Sequence, residues 1–189
     1  GSTGEVIYVA PDAEGRVYVP NQSIGDSWKG GNEEGFADSG GDQDWINVTQ
    51  GIGYDQNQTR YDPFIGTDLQ TQMYRERATA YLRIPFEITN PAAITSLSLD
   101  IRYDDAFAAW INGVPVARGN TRDGELDWSS TAPSSRPDIQ AVEYATFDLG
   151  DYTGALRAGG NILALQGLNR STSNRDFLLQ VRMRGDESE

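Results

Sequence analysis

Three groups of residues in this sequence have chemistry to offer: aromatics in polar stretches, clustered carboxylates, and loop arginines. Trp28 and Trp128 stand among polar and glycine residues, and Tyr54, Tyr61 and Tyr74 have similar surroundings. A flat aromatic face held in a loop can stack on the apolar C–H face of a pyranose ring, so these five are the candidate stacking residues. The competing fate is burial, since large aromatics commonly hide most of their area. Trp45 opens an apolar run and reads as core. Trp110 falls on the opposite strand face from Phe107, Ala109 and Ile111 and is expected to pack beneath a loop.

The carboxylates suggest a metal. Asp38, Asp42 and Asp44 surround Gly40-Gly41, and such a loop can supply several of the six to eight oxygens that calcium takes. The spacing is not that of an EF-hand. These three are the candidate ligands of a structural Ca2+. Asp104-Asp105 is a second candidate, but neighbours on a strand point to opposite faces, so both serve one site only if the chain bulges. One of them is expected to cap the bend into Phe107. A glycosidase pair would need two carboxyl groups held across a sugar, one with a raised pKa. Among 28 acidic residues any such pair is unspecific, so no catalytic role is expected.

Arginine offers a planar fork suited to carboxylate or sulfate. Arg75, Arg77, Arg122 and Arg175 lie in polar segments, with Asn169 close to the last of them. Gathered at one end of a fold they would bind an acidic polysaccharide. The alternative is pairing with neighbouring acids, as in Arg75-Glu76-Arg77.

Composition narrows the field. The chain of 189 residues has no cysteine and no histidine. That removes thiolate metal sites, the usual base of serine and cysteine hydrolases, and the commonest zinc ligand. The net charge of −13 disfavours nucleic acid and anionic membranes. No apolar run is long enough for membrane insertion. Lys29 is the single lysine among 15 basic residues. An acidic, lysine-poor surface suits either a salty habitat or ordinary solubility. No signal-peptide pattern is visible, and Gly1-Ser2 reads as a cloning remnant ahead of an excised domain.

These side chains must be positioned by strands. Residues 80–88 alternate apolar Ala80, Leu82, Ile84, Phe86 and Ile88 with Tyr81, Arg83 and Glu87, the period-two pattern of a strand with one face in a core. Residues 97–103 alternate likewise. Segments 107–111 and 114–117 flank Asn112-Gly113, a strong hairpin signal because both residues tolerate positive φ. Residues 141–149, 162–168 and 177–183 complete the clear strands, with a helical turn at 152–158 stopped by Gly159-Gly160. Shorter strands are expected at 6–10, 17–19, 45–48 and 51–54. Segments 22–44, 55–77 and 118–140 read as long loops, which on a small domain are functional or mobile.

Several motifs now add up. Arg-Ile-Pro-Phe at 83–86, Tyr-Asp-Asp-Ala-Phe at 103–107 and Trp-Ile-Asn-Gly at 110–113 are followed by Val-Ala-Arg at 116–118. Gly-Asn-Ile-Leu-Ala at 160–164 and Asn-Arg-Asp-Phe at 174–177 close the series. Together they resemble a galactose-binding-like β-sandwich, the version found in bacterial secreted and surface proteins beside lamin-tail domains. The likeness covers roughly residues 20–184, and a more distant one runs to the sugar-binding domains of β-galactosidases and β-glucuronidases. Ala106 stands where the pattern has glycine. The resemblance implies a jelly-roll with an accessory, carbohydrate-associated role, and such folds often hold a structural calcium.

The expectation is therefore an all-β, two-sheet antiparallel β-sandwich of jelly-roll type. Residues 1–19 would supply its lead-in and first strands, 20–184 the sandwich, and 185–189 an acidic tail. The expected function is non-catalytic recognition of a polysaccharide or oligosaccharide by a module of an extracellular or cell-surface bacterial protein, beside that protein's other domains. A structural or adhesive spacer is the alternative, and a glycan-active enzyme the remote one.

Overall fold

The computed structural model describes residues 4–30, 45–57 and 60–189. Twelve strands follow one another: β1 (Val6–Val9), β2 (Glu14–Tyr18), β3 (Ile46–Thr49), β4 (Ile52–Asp55), β5 (Thr67–Asp68), β6 (Thr79–Ile88), β7 (Ile94–Asp104), β8 (Ala106–Ile111), β9 (Val114–Gly119), β10 (Ala145–Asp148), β11 (Gly159–Leu168) and β12 (Asp176–Glu187). Two one-turn helices, α1 (Gln70–Met73) and α2 (Asp138–Ala141), lie in the connections. No helix of the described residues is long and apolar enough to cross a membrane.

The strands form two six-stranded sheets. The first runs β10-β7-β12-β4-β5, with β1 also pairing to β12; the second runs β3-β2-β6-β11-β8-β9. All pairings are antiparallel except the two-residue match of β4 with β5. The fold is thus the expected all-β sandwich. The alternating residues of β6 meet those of β7, β11 and β12 between the sheets, where Leu82, Ile84, Leu99, Leu163, Leu165 and Val181 are fully buried. Burying each such side chain contributes about 1.5–3 kcal/mol.

The hairpin turn adopts the expected geometry, with φ of 50° at Asn112 and 85° at Gly113. Asn112 does more than turn the chain. Its side-chain amide donates to the Ala155 carbonyl and to Asn161 Oδ1, and its Oδ1 accepts from the Ile162 amide. Ala106, where glycine is usual, begins β8 and is not among the positive-φ residues.

Three expectations shift. Segment 141–149 is not one strand: Pro137 and Asp138 start α2, whose Ala141 is buried against Tyr61 and Leu178, and the strand begins only at Ala145. The turn before β11 is a 3-10 helix, Gly150–Ala155, and Gly159 and Gly160 belong to β11 opposite Ile88 and Glu87. Residues 185–187 are not a tail. Gly185 pairs with Leu97 of β7 and with Val6 of β1, and Tyr8 donates a hydrogen bond to Glu187. The acidic composition of that stretch hid its backbone pairing.

Candidate functional site

The outer face of the second sheet carries an aromatic layer. Odd residues of β6 point there, and the segment before residue 30 folds over them. Trp28 stacks on Tyr81 at 4.1 Å and 15°, meets Trp110 edge-on at 5.5 Å, and lies 6.5 Å from Trp45. Trp128 and Leu126 pack against the same cluster, so all four tryptophans share it. Arg83 holds the Trp28 turn in place by donating to its carbonyl, and the Gly113 amide donates to the Lys29 carbonyl.

Two adjoining hollows open on this layer. One, about 340 Å3, is lined by Lys29, Trp110, Pro115, Arg118 and Leu126 among others. The second, about 140 Å3, lies between Trp28, Tyr81, Asp127, Trp128 and Gln166, and shares Asp26, Lys29 and Leu126 with the first. Lys29 is paired to Asp26 at 2.7 Å and sits 4.5 Å from the centre of the Trp110 ring. A larger hollow of about 570 Å3 runs along Arg16, Asn47, Thr49 and Thr67, but no tryptophan or tyrosine lines it. Of these three hollows the first two are lined by tryptophan among the described residues; Trp110 is buried under Lys29, whereas Trp128 in the second is half-buried.

A second constellation occupies one end of the first sheet. The register places Leu178 opposite Asp104 and Asp176 opposite Asp55, so three strands end there in aspartate. Asp55 accepts the amides of Asn57, Arg60 and Tyr61, which folds the chain back and sends Tyr61 inward. The Tyr61 hydroxyl donates to Asp104 Oδ2 at 2.5 Å and stands 3.0 Å from Asp138 Oδ1. It has one proton for two acceptors.

Asp104 and Asp105, at the junction of β7 and β8, accept hydrogen bonds from different donors. The Asp105 carboxylate accepts the amides of Arg136 and Arg170 and the side-chain amide of Asn174. It thereby pins the long connection after β9 to the β11–β12 loop. Asp104 instead turns toward Asp138 and Asp176, and the three offer oxygens all within 4.8 Å of one another. Asp104 is 2% exposed, and its Oδ1 has no hydrogen-bond partner. Burial first, then the neighbouring Asp105 carboxylate, hold Asp104 well above the usual carboxylate range. Burial and the charge of Asp138 also raise Asp176. Burial and Asp104 push the Tyr61 phenol up, so it keeps its proton.

The residues singled out by the sequence are divided by this geometry. Trp28, Tyr54, Tyr61 and Asn169 are buried, and the faces of the three aromatics are not open for stacking. Tyr54 donates to the Asn174 carbonyl and accepts from the Asn169 side chain, tying β4 to the β11–β12 loop. Of the two fates open to these aromatics, burial is the one adopted, because their loops fold onto the sandwich. Trp128 and Tyr74 are half-buried; Arg75, Arg122 and Arg175 are exposed and Arg77 is intermediate. The Arg75 amide donates to the Thr172 carbonyl, bringing the Arg75 and Arg175 loops together, while Arg122 lies beside Arg118. The ion pairing proposed within Arg75-Glu76-Arg77 is not formed; Arg77 donates to the Glu76 carbonyl instead. Asp38, Asp42 and Asp44 lie outside the described residues.

Sequence reading passed over Lys29, Asp127 and Gln166 in the hollows, and Asp138 and Asp176 at the acidic end. Asp104 and Asp176 did stand in recognisable motifs, 103–107 and 174–177. Asp138 carried no signal, because only the path of the β9–α2 connection brings it there.

No protein-family profile matches the chain, and no curated protein sequence does. Solved structures do. A β-glucuronidase from an uncultured Clostridium species superposes with TM-score 0.51 at 10% identity, covering 98% of this chain and 30% of that one. A Ruminococcus gnavus β-glucuronidase in complex with a C6-substituted uronic isofagomine gives TM-score 0.51 at 9% identity, covering 96% and 29%. Bacteroides uniformis β-glucuronidase 2 gives 0.52 at 12%, covering 96% and 18%. At such identities the likeness is one of fold. The chain spans less than a third of the length of each.

Proposed function

We propose that this chain is a non-catalytic carbohydrate-binding module of a larger extracellular or cell-surface bacterial protein, with a polysaccharide as ligand. The observation that carries the proposal is the hollow over the aromatic layer of the second sheet. There the half-buried Trp128 indole offers a stacking face. Asp26 and Asp127 line the same hollow, and Arg118 the adjoining one, with the donors and acceptors that sugar hydroxyls use. The fold shared with portions of β-glucuronidase chains supports a sugar-related role by analogy.

A binding rather than hydrolytic role is favoured by burial at the acidic end: Asp104 is 2% exposed and is not open to a sugar, whereas a hydrolytic pair must flank the glycosidic bond.

Affinity electrophoresis in gels containing neutral or acidic polysaccharides tests the reading. Retardation by one polysaccharide class, reduced about tenfold in affinity by Trp128→Ala at an unchanged melting midpoint, is the expected result; loss of one stacking contact of ~1.4 kcal/mol corresponds to that factor. Migration unaffected by every polysaccharide would overturn it in favour of a structural or adhesive spacer.

A further inference from the structure

We propose that Asp104, Asp138 and Asp176 form a divalent-cation site of the calcium class that locks the loop end of the sandwich. These ligands are other residues than the expected Asp38, Asp42 and Asp44, which lie outside the described residues.

Geometry comes first. Calcium–oxygen distances of about 2.3–2.6 Å put two ligands of one ion no more than about 5 Å apart, and the three carboxylates offer oxygens all within 4.8 Å. The second observation is independent of clustering. Asp104 Oδ1 is out of reach of water and receives no hydrogen bond. A buried carboxylate oxygen left in that state is costly unless a cation or a proton completes it.

Among the described residues no arginine or lysine forms an ion pair with Asp55, Asp104, Asp105, Asp138 or Asp176. Asp55 and Asp105 are instead satisfied by amide donors. Tyr61 brings one proton to the boundary between Asp104 and Asp138.

The choice of ion follows from the ligands. They are oxygens only, which suits a hard cation and not zinc or copper. Asp138 and Asp176 are only partly buried, leaving water access to complete an irregular shell; calcium tolerates that, whereas magnesium demands a near-ideal octahedron. The ligands come from the end of β7, the start of α2 and the start of β12. A bound ion would therefore cross-link two adjacent strands to the connection that crosses over them.

The test uses chelator-stripped whole protein titrated with CaCl2, MgCl2 or TbCl3. Expected are a saturable, stoichiometric calcium that is lost when Asp138 is replaced, and tyrosine-sensitised terbium emission that calcium displaces. A melting midpoint raised on the order of 5–10 °C at a hundredfold excess over Kd should accompany binding. Magnesium should do less. Asp138→Asn and Asp176→Asn should each weaken calcium binding at least tenfold, and because each removes a like charge, neither should melt below the stripped wild type. Absence of stoichiometric binding overturns the site in favour of proton sharing among the carboxyls. So does binding that survives both substitutions but disappears when Asp38, Asp42 and Asp44 are replaced together.

Discussion

Trp28 lies flat on Tyr81, their ring centroids 4.1 Å apart and their planes 15° from parallel. That contact turns a loop tryptophan into the keystone of a second, smaller core outside the sheet. Tyr18, Trp110 and Ala164 are buried with it, and the Asn112-Gly113 turn is tied to the next residue, Lys29.

Replacing Trp28 with alanine should therefore act on stability. A loss of about 3–5 kcal/mol is expected for a fully buried large aromatic, read as a lower urea midpoint. Trp28→Phe should recover about half of it. A substitution that left the midpoint in place would mean that this layer is not packed.

Asp105 should behave as a clamp. Its carboxylate receives three hydrogen bonds from two separate loops, and each bond to a charged group contributes about 1.5–3 kcal/mol at most. Asp105→Ala is expected to cost about 2–4 kcal/mol. The sharper reading is amide hydrogen exchange: Arg136 and Arg170 should lose protection while the amides of β6 and β11 keep theirs.

Asp100 sets the acid limit. Burial alone would raise its pKa, but hydrogen bonds from Arg184, Thr146 and Arg182 outweigh that and lower it below 3.8. A depressed folded-state value means stabilisation that is fully present above the unfolded-state pKa and lost as pH falls through the lower folded-state one. Stability should therefore decline below about pH 4, the unfolded-state range of aspartate. Asp100→Asn should flatten that acid limb and reduce stability at pH 7 by about 2–3 kcal/mol. Parallel acid limbs in the two proteins would refute the assignment.

Gly185 discriminates sheet from tail. A Cβ there would stand 2.2 Å from the Ser96 carbonyl oxygen across the β7–β12 pair. Gly185→Ala should cost about 1–3 kcal/mol through forced displacement of backbone. In a free tail the same change would leave thermal unfolding untouched.

Much of the architecture is local and so was legible in the chain. Alternation in 80–88 is a property of successive residues, and it led directly to β6 with Leu82 and Ile84 inside. The positive φ of Asn112 and Gly113 follows from side-chain sterics at two positions. The absence of cysteine and histidine excluded whole chemistries without reference to any fold.

What lies on the far side of each strand was decided only in three dimensions. Tyr81 and Arg83 look like an outward polar face in sequence, yet the segment ending at Gly30 covers them and buries Trp28. Polar chain neighbours leave both stacking and burial open to Tyr54 and Tyr61; the carboxylate of Asp55 and the carbonyl of Asn174 decide it by drawing them inward. The convergence of Asp104, Asp138 and Asp176 is likewise invisible along the chain. It depends on the antiparallel register of β7 with β12 and on the route of the connection after β9. Periodicity records which neighbours share a face, whereas long-range loop placement depends on contacts between residues far apart in sequence.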